Sequence, residues 1–241
     1  MKSTTIRETS WKSLYQTGAI AALTAALLFR RNIGAEVSLF TGIEALPTNA
    51  ADWFSLLQTN PFVGLSFLAV FDLTNYFLVG IVFLALAARL WLVNKSLTAL
   101  ALTGGLVGVT INLSSNISLT MFSLSQRYAA ATSAAQKTDL LSAGQSILAG
   151  NDPLAAIPST GALVGLLLVA LAGLLFSVLL LPSHRATAIL GLLASGCDLV
   201  YCLVFPLTAV APVYLLLAAA GLFWMLWHFL VAWVLWKYSK E

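Results

Sequence analysis

The sequence predicts an all-α fold, a polytopic transmembrane helical bundle of about six spans, with one extramembrane amphipathic helix between spans three and four. Of the 241 residues, 60% are hydrophobic and only 9% are charged, whereas a soluble domain has about 25% charged residues. The mean hydropathy is +0.93. Apolar residues also occur in runs of about 20, the length at which a helix crosses the hydrocarbon core of a bilayer. We therefore expect residues 1–241 to form a single integral membrane domain.

Each predicted span is an apolar run that ends at charged or turn-forming residues. The first run is short and is followed directly by Arg30 and Arg31, and the second ends at Arg89, before the turn at Asn94. Because no cleavage site of small residues precedes Arg30, the first run is interpreted as a retained helix rather than a signal peptide. The predicted spans cover residues 14–30, 62–90, 97–122, 159–181, 186–207 and 212–236.

Residues 126–149 differ from the spans because they contain few large apolar side chains and many Ala, Ser and Gln. The larger apolar residues in this segment, such as Leu140, Leu141 and Leu148, recur at helical spacing. This pattern is typical of an amphipathic helix. Gly150 and Pro153 then mark its end. We expect this helix to lie outside the membrane and to cap the bundle.

The distribution of basic residues predicts the topology. With both termini in the cytoplasm of a cell-membrane protein, eight Lys and Arg residues lie inside and four lie outside, and cytoplasmic segments carry the excess of basic residues. The four outer residues are Arg30, Arg31, Arg127 and Lys137. The formal charge of +3 does not indicate a nucleic-acid partner, because the basic residues stand singly at the ends of apolar runs.

Polar residues within the apolar runs are the candidate functional residues. An ionised Asp at the centre of a membrane helix costs about 2.5–3.5 kcal/mol, so Asp72 and Asp198 are the strongest candidates. At a rise of about 1.5 Å per residue, both lie near the predicted midplane. The full set of candidate ligand- or ion-binding residues is Asp72, Asn75, Asn112, Asn116, Asp198 and His228. We expect at least one of the two aspartates to be neutral at pH 7, because like charges oppose each other in a low-dielectric interior.

Each candidate also has a structural explanation. Amides often join membrane helices by hydrogen bonds worth about 0.6 kcal/mol, and this interpretation is favoured for the three asparagines. A lone imidazole such as His228 is more often a neutral, hydrogen-bonded filler than a ligand. Trp224, Trp227, Trp233 and Trp236 around it are interpreted as an interfacial belt together with core residues.

No catalytic motif or cofactor is identified. The sequence lacks a phosphate loop, HExxH and GxSxG, so an enzyme is not favoured. Two histidines are too few for a three-histidine zinc site. Oxygen ligands alone suit hard cations such as sodium or magnesium rather than zinc.

Three segments resemble an uncharacterised family of bacterial and archaeal multi-pass integral membrane proteins, a domain of unknown function. They are NPFVGLSFLAVFDLTNY at 60–76, SLSQRYAAATSAAQKTDLLSAGQSILA at 123–149 and, more weakly, RATAILGLLASGCDLVY at 185–201. The resemblance implies a membrane helical bundle. It implies no activity, substrate or functional residue.

Two functions remain open. The first is a midplane polar site that binds an ion, a proton or a small ligand, supported by Asp72 and Asp198. The second is a non-catalytic structural or accessory subunit of a larger membrane complex, supported by the motifs Gly104-x-x-x-Gly108 and Gly161-x-x-x-Gly165, which permit close helix packing. The expected partners are the lipid bilayer and, in the second case, other membrane protein subunits.

Overall fold

The computed structural model describes residues 2–28, 47–151, 159–208 and 211–241. These residues form ten α-helices and no strand, which confirms the predicted all-α class for this part of the chain. The helices are α1 (Lys2–Leu28), α2 (Ala50–Thr59), α3 (Pro61–Phe67), α4 (Val70–Leu90), α5 (Lys95–Ser115), α6 (Ser118–Ala130), α7 (Ala134–Gly150), α8 (Thr160–Leu180), α9 (Arg185–Thr208) and α10 (Ala211–Tyr238).

Side-chain caps determine where several of these helices begin. The side-chain oxygen of Asn49 accepts a hydrogen bond from the backbone N–H of Asp52 at 3.0 Å, and α2 starts directly after it. Asn60 caps α3 in the same way and is followed by Pro61 at the first helical position. Asn94 and Ser133 provide the corresponding oxygens for α5 and α7. Each cap satisfies an N–H group that the helix itself leaves without an acceptor.

The chain divides into two compact units, and unit 1 comprises Met1–Arg31, Thr74–Leu113 and Leu163–Glu241. Its core is built from α1, α4, α5, α8, α9 and α10. Small residues let these helices approach closely: a Cβ atom at Gly108 of α5 would lie 2.9 Å from the carbonyl oxygen of Gly165 in α8. The rings of Phe83 and Phe176 fill the space between α4 and α8, with centroids 5.2 Å apart.

Unit 2 comprises Asn32–Leu73 and Ser114–Ala162. Its core contains Trp53, Phe54 and Leu57 of α2 together with Met121 of α6 and Leu148 of α7. Polar contacts fasten the same helices, since the Gln145 side chain accepts a hydrogen bond from the Ala50 N–H at 3.1 Å. The Gln58 amide donates to the Ser125 carbonyl at 2.9 Å. Unit 2 therefore has an apolar core of its own.

The predicted second and third spans are each interrupted. The prediction of one helix over 62–90 is wrong, because the helix is interrupted at Leu68 and Ala69, between α3 and α4. Ala69 has a φ of 60°. The helix predicted over 97–122 lies within one candidate span, Lys95–Ala130, but it has a short interruption there, since α5 ends at Ser115 and α6 begins at Ser118. A left-handed φ at a non-glycine residue costs about 1–2 kcal/mol and cannot continue an α-helix.

The bounds of the predicted amphipathic helix also change. Residues 126–130 complete α6, and α7 starts only at Ala134, after the cap at Ser133. Between the predicted first and second spans, residues 50–59 form α2, which begins after its Asn49 cap, while Arg30, Arg31, residues 32–46 and Pro153 lie outside the described residues. The location of residues 126–149 outside the membrane remains a prediction.

Five helical segments in the described part of the chain are long and apolar enough to cross a membrane. They are Val70–Leu90, Lys95–Ala130, Thr160–Leu180, Arg185–Thr208 and Leu215–Tyr238. These five segments are compatible with an integral membrane protein. The predicted first span lies largely within α1, which is not among the five, so the count of six and the cytoplasmic termini remain predictions.

Candidate functional site: a buried polar cluster in unit 1

Asp198 lies on the buried face of α9. This face also carries Gly191, Ser195 and Cys202, as the helical spacing predicts. Only 2% of Asp198 is exposed. Its Oδ2 atom accepts a hydrogen bond from the indole Nε1 of Trp224 in α10 at 2.7 Å. A buried carboxylate is tolerated only when hydrogen bonds or charges compensate for the lost water, and Trp224 supplies one such bond.

His228 lies one turn further along α10 and is 1% exposed. Its Nδ1 atom lies 2.8 Å from the carbonyl oxygen of Trp224. Because a carbonyl oxygen only accepts, Nδ1 carries a hydrogen and donates it. In the neutral ring the second nitrogen, Nε2, is then an acceptor. Trp224 thus contacts both titratable side chains, through its indole N–H and through its backbone carbonyl.

Three more polar groups are buried in the same helices. The hydroxyls of Ser177 and Ser195 and the indole Nε1 of Trp227 have no hydrogen-bond partner among the described residues. A Cβ atom at Gly191 would collide with both the Ser177 hydroxyl and Trp227 Nε1, so these two groups approach the backbone of α9 at the same place. A Cβ atom at Gly173 would collide with the Trp224 ring and lie 3.0 Å from the Ser195 hydroxyl.

Together these side chains form what we call the Asp198 cluster: Ser177 of α8, Ser195 and Asp198 of α9, and Trp224, Trp227 and His228 of α10. Gly173 and Gly191 provide the space for it, because any larger residue would fill the positions of the serine and indole groups. The cluster combines one carboxyl group, one imidazole, two hydroxyls and two indole donors in an apolar interior. Such a set can hold a proton or a small polar molecule.

The cluster is poorly suited to a metal ion. The two indole N–H groups present positive hydrogens, whereas a hard cation needs about six or more oxygen ligands. Among the described residues, no group of three or more His, Cys, Asp and Glu side chains is placed to hold a metal. The carboxyl group of Asp198 is therefore better served by a proton or by hydrogen-bond donors than by a bound cation.

Asp72 and Asn116 belong to unit 2 and share one backbone partner. The sequence interpretation placed Asp72 in the middle of a helix, but it lies in the first turn of α4. Its backbone N–H donates to the carbonyl of Ala69 at 3.1 Å, and the Asn116 side-chain amide donates to the same carbonyl at 2.9 Å. A carboxylate near a helix N-terminus is favoured by the helix dipole. Both residues thus support the break between α3 and α4.

Asn75 and Asn112 belong to unit 1. The Asn112 amide donates to the Gly108 carbonyl of its own helix at 3.1 Å, and it occupies the place that a Cβ atom at Gly165 would need. This bond lies within α5 and is not the hydrogen bond between helices favoured from the sequence, although the side chain packs against α8 at Gly165. Asn75 is 8% exposed, and its side-chain oxygen has no partner among the described residues. A single midplane site that includes all six candidates remains a prediction.

The sequence interpretation missed the role of Trp224. The tryptophans divide as a belt together with core residues: Trp233 and Trp236 are exposed, and Trp224 and Trp227 are buried. What the sequence did not indicate is that Trp224 contacts Asp198. The spacing of Trp224, Trp227 and His228 at i, i+3 and i+4 was the available signal, since it places all three on one face of a helix. A buried indole needs an acceptor, and Asp198 is an acceptor in a neighbouring span.

Comparison of the chain with known protein families, curated proteins and solved structures finds no match. The resemblance to an uncharacterised membrane family therefore remains a prediction.

Proposed function

We propose that the protein is an integral membrane protein that binds and releases a proton at Asp198. The observation that carries this proposal is a carboxyl group that is only 2% exposed, deep among apolar helices, and that accepts a hydrogen bond from the Trp224 indole. An apolar residue would pack between these helices at lower cost than a carboxyl group. This cost favours a chemical role for the carboxyl group over a packing role.

His228 and the two serines support a role in proton transfer. The imidazole is fixed with Nδ1 donating, so Nε2 is the nitrogen that can accept a proton. Hydroxyl groups both donate and accept, which lets them pass a proton along a chain of hydrogen bonds. Ser177 and Ser195 lie in α8 and α9, beside the indoles that contact Asp198 and the backbone of α9.

The test compares Asp198→Asn with Asp139→Asn, a control that removes an exposed aspartate in α7. The purified protein is reconstituted into vesicles, and carboxyl protonation is followed by infrared spectroscopy as the pH is varied. A trapped pH dye measures proton flux in parallel. We expect Asp198→Asn to remove one titrating carboxyl band and to change the flux, and Asp139→Asn to leave the flux unchanged. A spectrum in which Asp198→Asn removes no titrating band would refute the proposal.

The accessory-subunit alternative rests on a different observation. A Cβ atom at Gly104 of α5 would meet nothing within 4 Å in the part of the chain that the structure describes, whereas the neighbouring Gly105 is closely packed against Phe83. An open glycine on an apolar helix favours contact with a helix of another subunit. If this alternative holds, Gly104→Leu should reduce the particle mass measured in mild detergent toward the monomer mass of 25.6 kDa.

A further inference from the structure

Aromatic and basic side chains converge at one end of unit 1. The guanidinium carbon of Arg89, in the last turn of α4, lies 4.1 Å from the centre of the Tyr238 ring at the end of α10. The Tyr238 hydroxyl lies 3.4 Å from Nε2 of His184, in the turn before α9. The Tyr15 ring of α1 lies beside the same tyrosine, with centroids 6.3 Å apart. Residues from α1, α4, α10 and the turn before α9 thus meet around Tyr238.

The charge at this end is mainly positive. Lys237 is exposed next to Tyr238, and Arg89 is exposed above it. Burial lowers the pKa of His184, and the nearby positive charges of Lys237 and Arg89 lower it further, while the carboxylate of Glu241 acts in the opposite direction. His184 therefore stays neutral near pH 7 and can accept or donate a hydrogen bond there. We call Arg89, His184, Lys237 and Tyr238 the Tyr238 cluster.

The Tyr238 cluster lies where apolar spans end. Val70–Leu90, Thr160–Leu180 and Leu215–Tyr238 all finish at or next to its residues, and Arg185–Thr208 starts beside His184. Large apolar side chains next to it in the chain are exposed: Trp91 by 41%, Leu92 by 85% and Trp236 by 45%. Exposed tryptophans at the ends of spans are typical of the boundary between hydrocarbon and headgroups.

We propose that the Tyr238 cluster binds the phosphate-bearing headgroup of an anionic phospholipid. Arg89 and Lys237 supply the positive charge, and the guanidinium of Arg89 forms paired hydrogen bonds with phosphate oxygens. The backbone N–H groups in the first turn of α9, which starts at Arg185, can donate hydrogen bonds to a phosphate oxygen. The helix dipole also favours negative charge at this end of α9. The exposed Trp91, Leu92 and Trp236 contact the acyl chains of the same lipid. This inference requires insertion in a membrane, but it does not depend on the Asp198 cluster.

The experiment uses the full chain in mild detergent and compares lipids by native mass spectrometry. The probes are phosphatidylglycerol and phosphatidylcholine with the same acyl chains, and inorganic phosphate is tested separately by thermal unfolding. The variants are Lys237→Gln and the double variant with Arg89→Gln. Lys137→Gln is the matched control, because its ammonium group also lies over a tyrosine, 5.6 Å from the ring centre of Tyr128 in unit 2.

We expect phosphatidylglycerol to bind more tightly than phosphatidylcholine. Each charge removed should weaken that binding about fivefold, the effect of about one basic residue at an anionic surface, and Lys137→Gln should leave it unchanged. Lys237→Gln alone decides the test if the double variant does not fold, because Lys237 is exposed. The proposal is overturned if Lys137→Gln weakens binding as much as Lys237→Gln, or if both lipids bind equally. It is also overturned if inorganic phosphate raises the temperature of unfolding as much as phosphatidylglycerol does.

Discussion

The hydrogen bond between Trp224 and Asp198 permits a sharp test of the buried cluster. Trp224→Phe removes the indole N–H that lies 2.7 Å from Asp198 Oδ2 and keeps an aromatic ring in the core. Trp227→Phe is the matched control. Trp227 is equally buried on the same helix, but its Nε1 has no hydrogen-bond partner among the described residues. Both substitutions remove the same atoms, so the volume lost is the same in each.

The expected difference follows from the bond each substitution breaks. Losing a hydrogen bond to a neutral carboxyl group costs about 0.5–1.5 kcal/mol, and losing one to a carboxylate costs about 1.5–3 kcal/mol. Trp227→Phe breaks no hydrogen bond. It removes a buried, unpaired donor, and because the desolvation of such a donor destabilises the folded state by about 1–3 kcal/mol, its removal offsets part of the packing loss. Trp224→Phe should therefore be more destabilising than Trp227→Phe, by at least about 1 kcal/mol. A small difference indicates a protonated Asp198, and a large one indicates an ionised Asp198.

The free energy of unfolding is measured by titrating SDS into mild detergent micelles and following helical circular dichroism. Both substitutions are repeated in the Asp198→Asn background as double-mutant cycles. Trp224 should show a coupling energy with residue 198, and Trp227 should show a smaller one. If Trp227→Phe destabilises the protein as much as Trp224→Phe, the bond to Asp198 contributes nothing and the cluster is only a packing core.

Three further predictions follow from the described contacts. Gly191→Ala should destabilise unit 1 by about 1–3 kcal/mol through overpacking against Ser177 and Trp227. Gly104→Ala, which meets nothing within 4 Å, should not lower the thermal midpoint, and equal losses would contradict this reasoning. Asn116→Ala removes the bond to Ala69 and two bonds that Ser118 donates to the Asn116 side-chain oxygen, so it should cost unit 2 more than about 1 kcal/mol, seen as faster hydrogen exchange near Ala69. Asn151→Ala, which loses one longer 3.3 Å bond, should cost less. Because the pKa of His184 is lowered from 6.5, the unfolded chain takes up the proton first as pH falls, so stability present above pH 6.5 is lost on acidification. Thermal unfolding of His184→Gln, measured at several pH values, should lack that part of the pH dependence. If the midpoint falls with pH as steeply as in the unchanged protein, another group causes the loss of stability.

The apolar runs predicted much of the fold because membrane helices are long and uniform in composition. The predicted fourth, fifth and sixth spans differ by only a few residues from α8, α9 and α10. The helix interruptions at Ala69 and at Asn116 were missed, because neither position carries a proline or glycine, the residues that indicate the end of a helix in a sequence. A left-handed alanine is stabilised by a partner distant in sequence, here the Asn116 amide. Hydrophobic periodicity carries no information about such a contact.

The candidate site was predicted in part, and the reason lies in how Asp198 finds its partners. Its own helix shows the polar face directly, since Gly191 and Ser195 recur at helical spacing. Which donor reaches Asp198 depends on the rotation of α10 against α9, and the spacing of Trp224, Trp227 and His228 defines a polar face of α10 without showing that this face meets Asp198. By sequence alone, buried Trp224 cannot be distinguished from the exposed Trp233 and Trp236 of the same helix.

The glycines connect the packing to the chemistry. Gly173 lets the Trp224 ring lie against α8, and Gly191 lets Trp227 and Ser177 lie against α9. Small residues at helix contacts are usual in membrane bundles because close approach replaces the hydrophobic driving force that lipid does not supply. In unit 1 this close approach places two indole N–H groups and two hydroxyls in the apolar interior, and one of the indoles donates to the carboxyl group of Asp198. A substitution that enlarges either glycine should therefore disturb the proposed proton binding at Asp198 as well as stability, whereas a change at Gly104 should disturb neither.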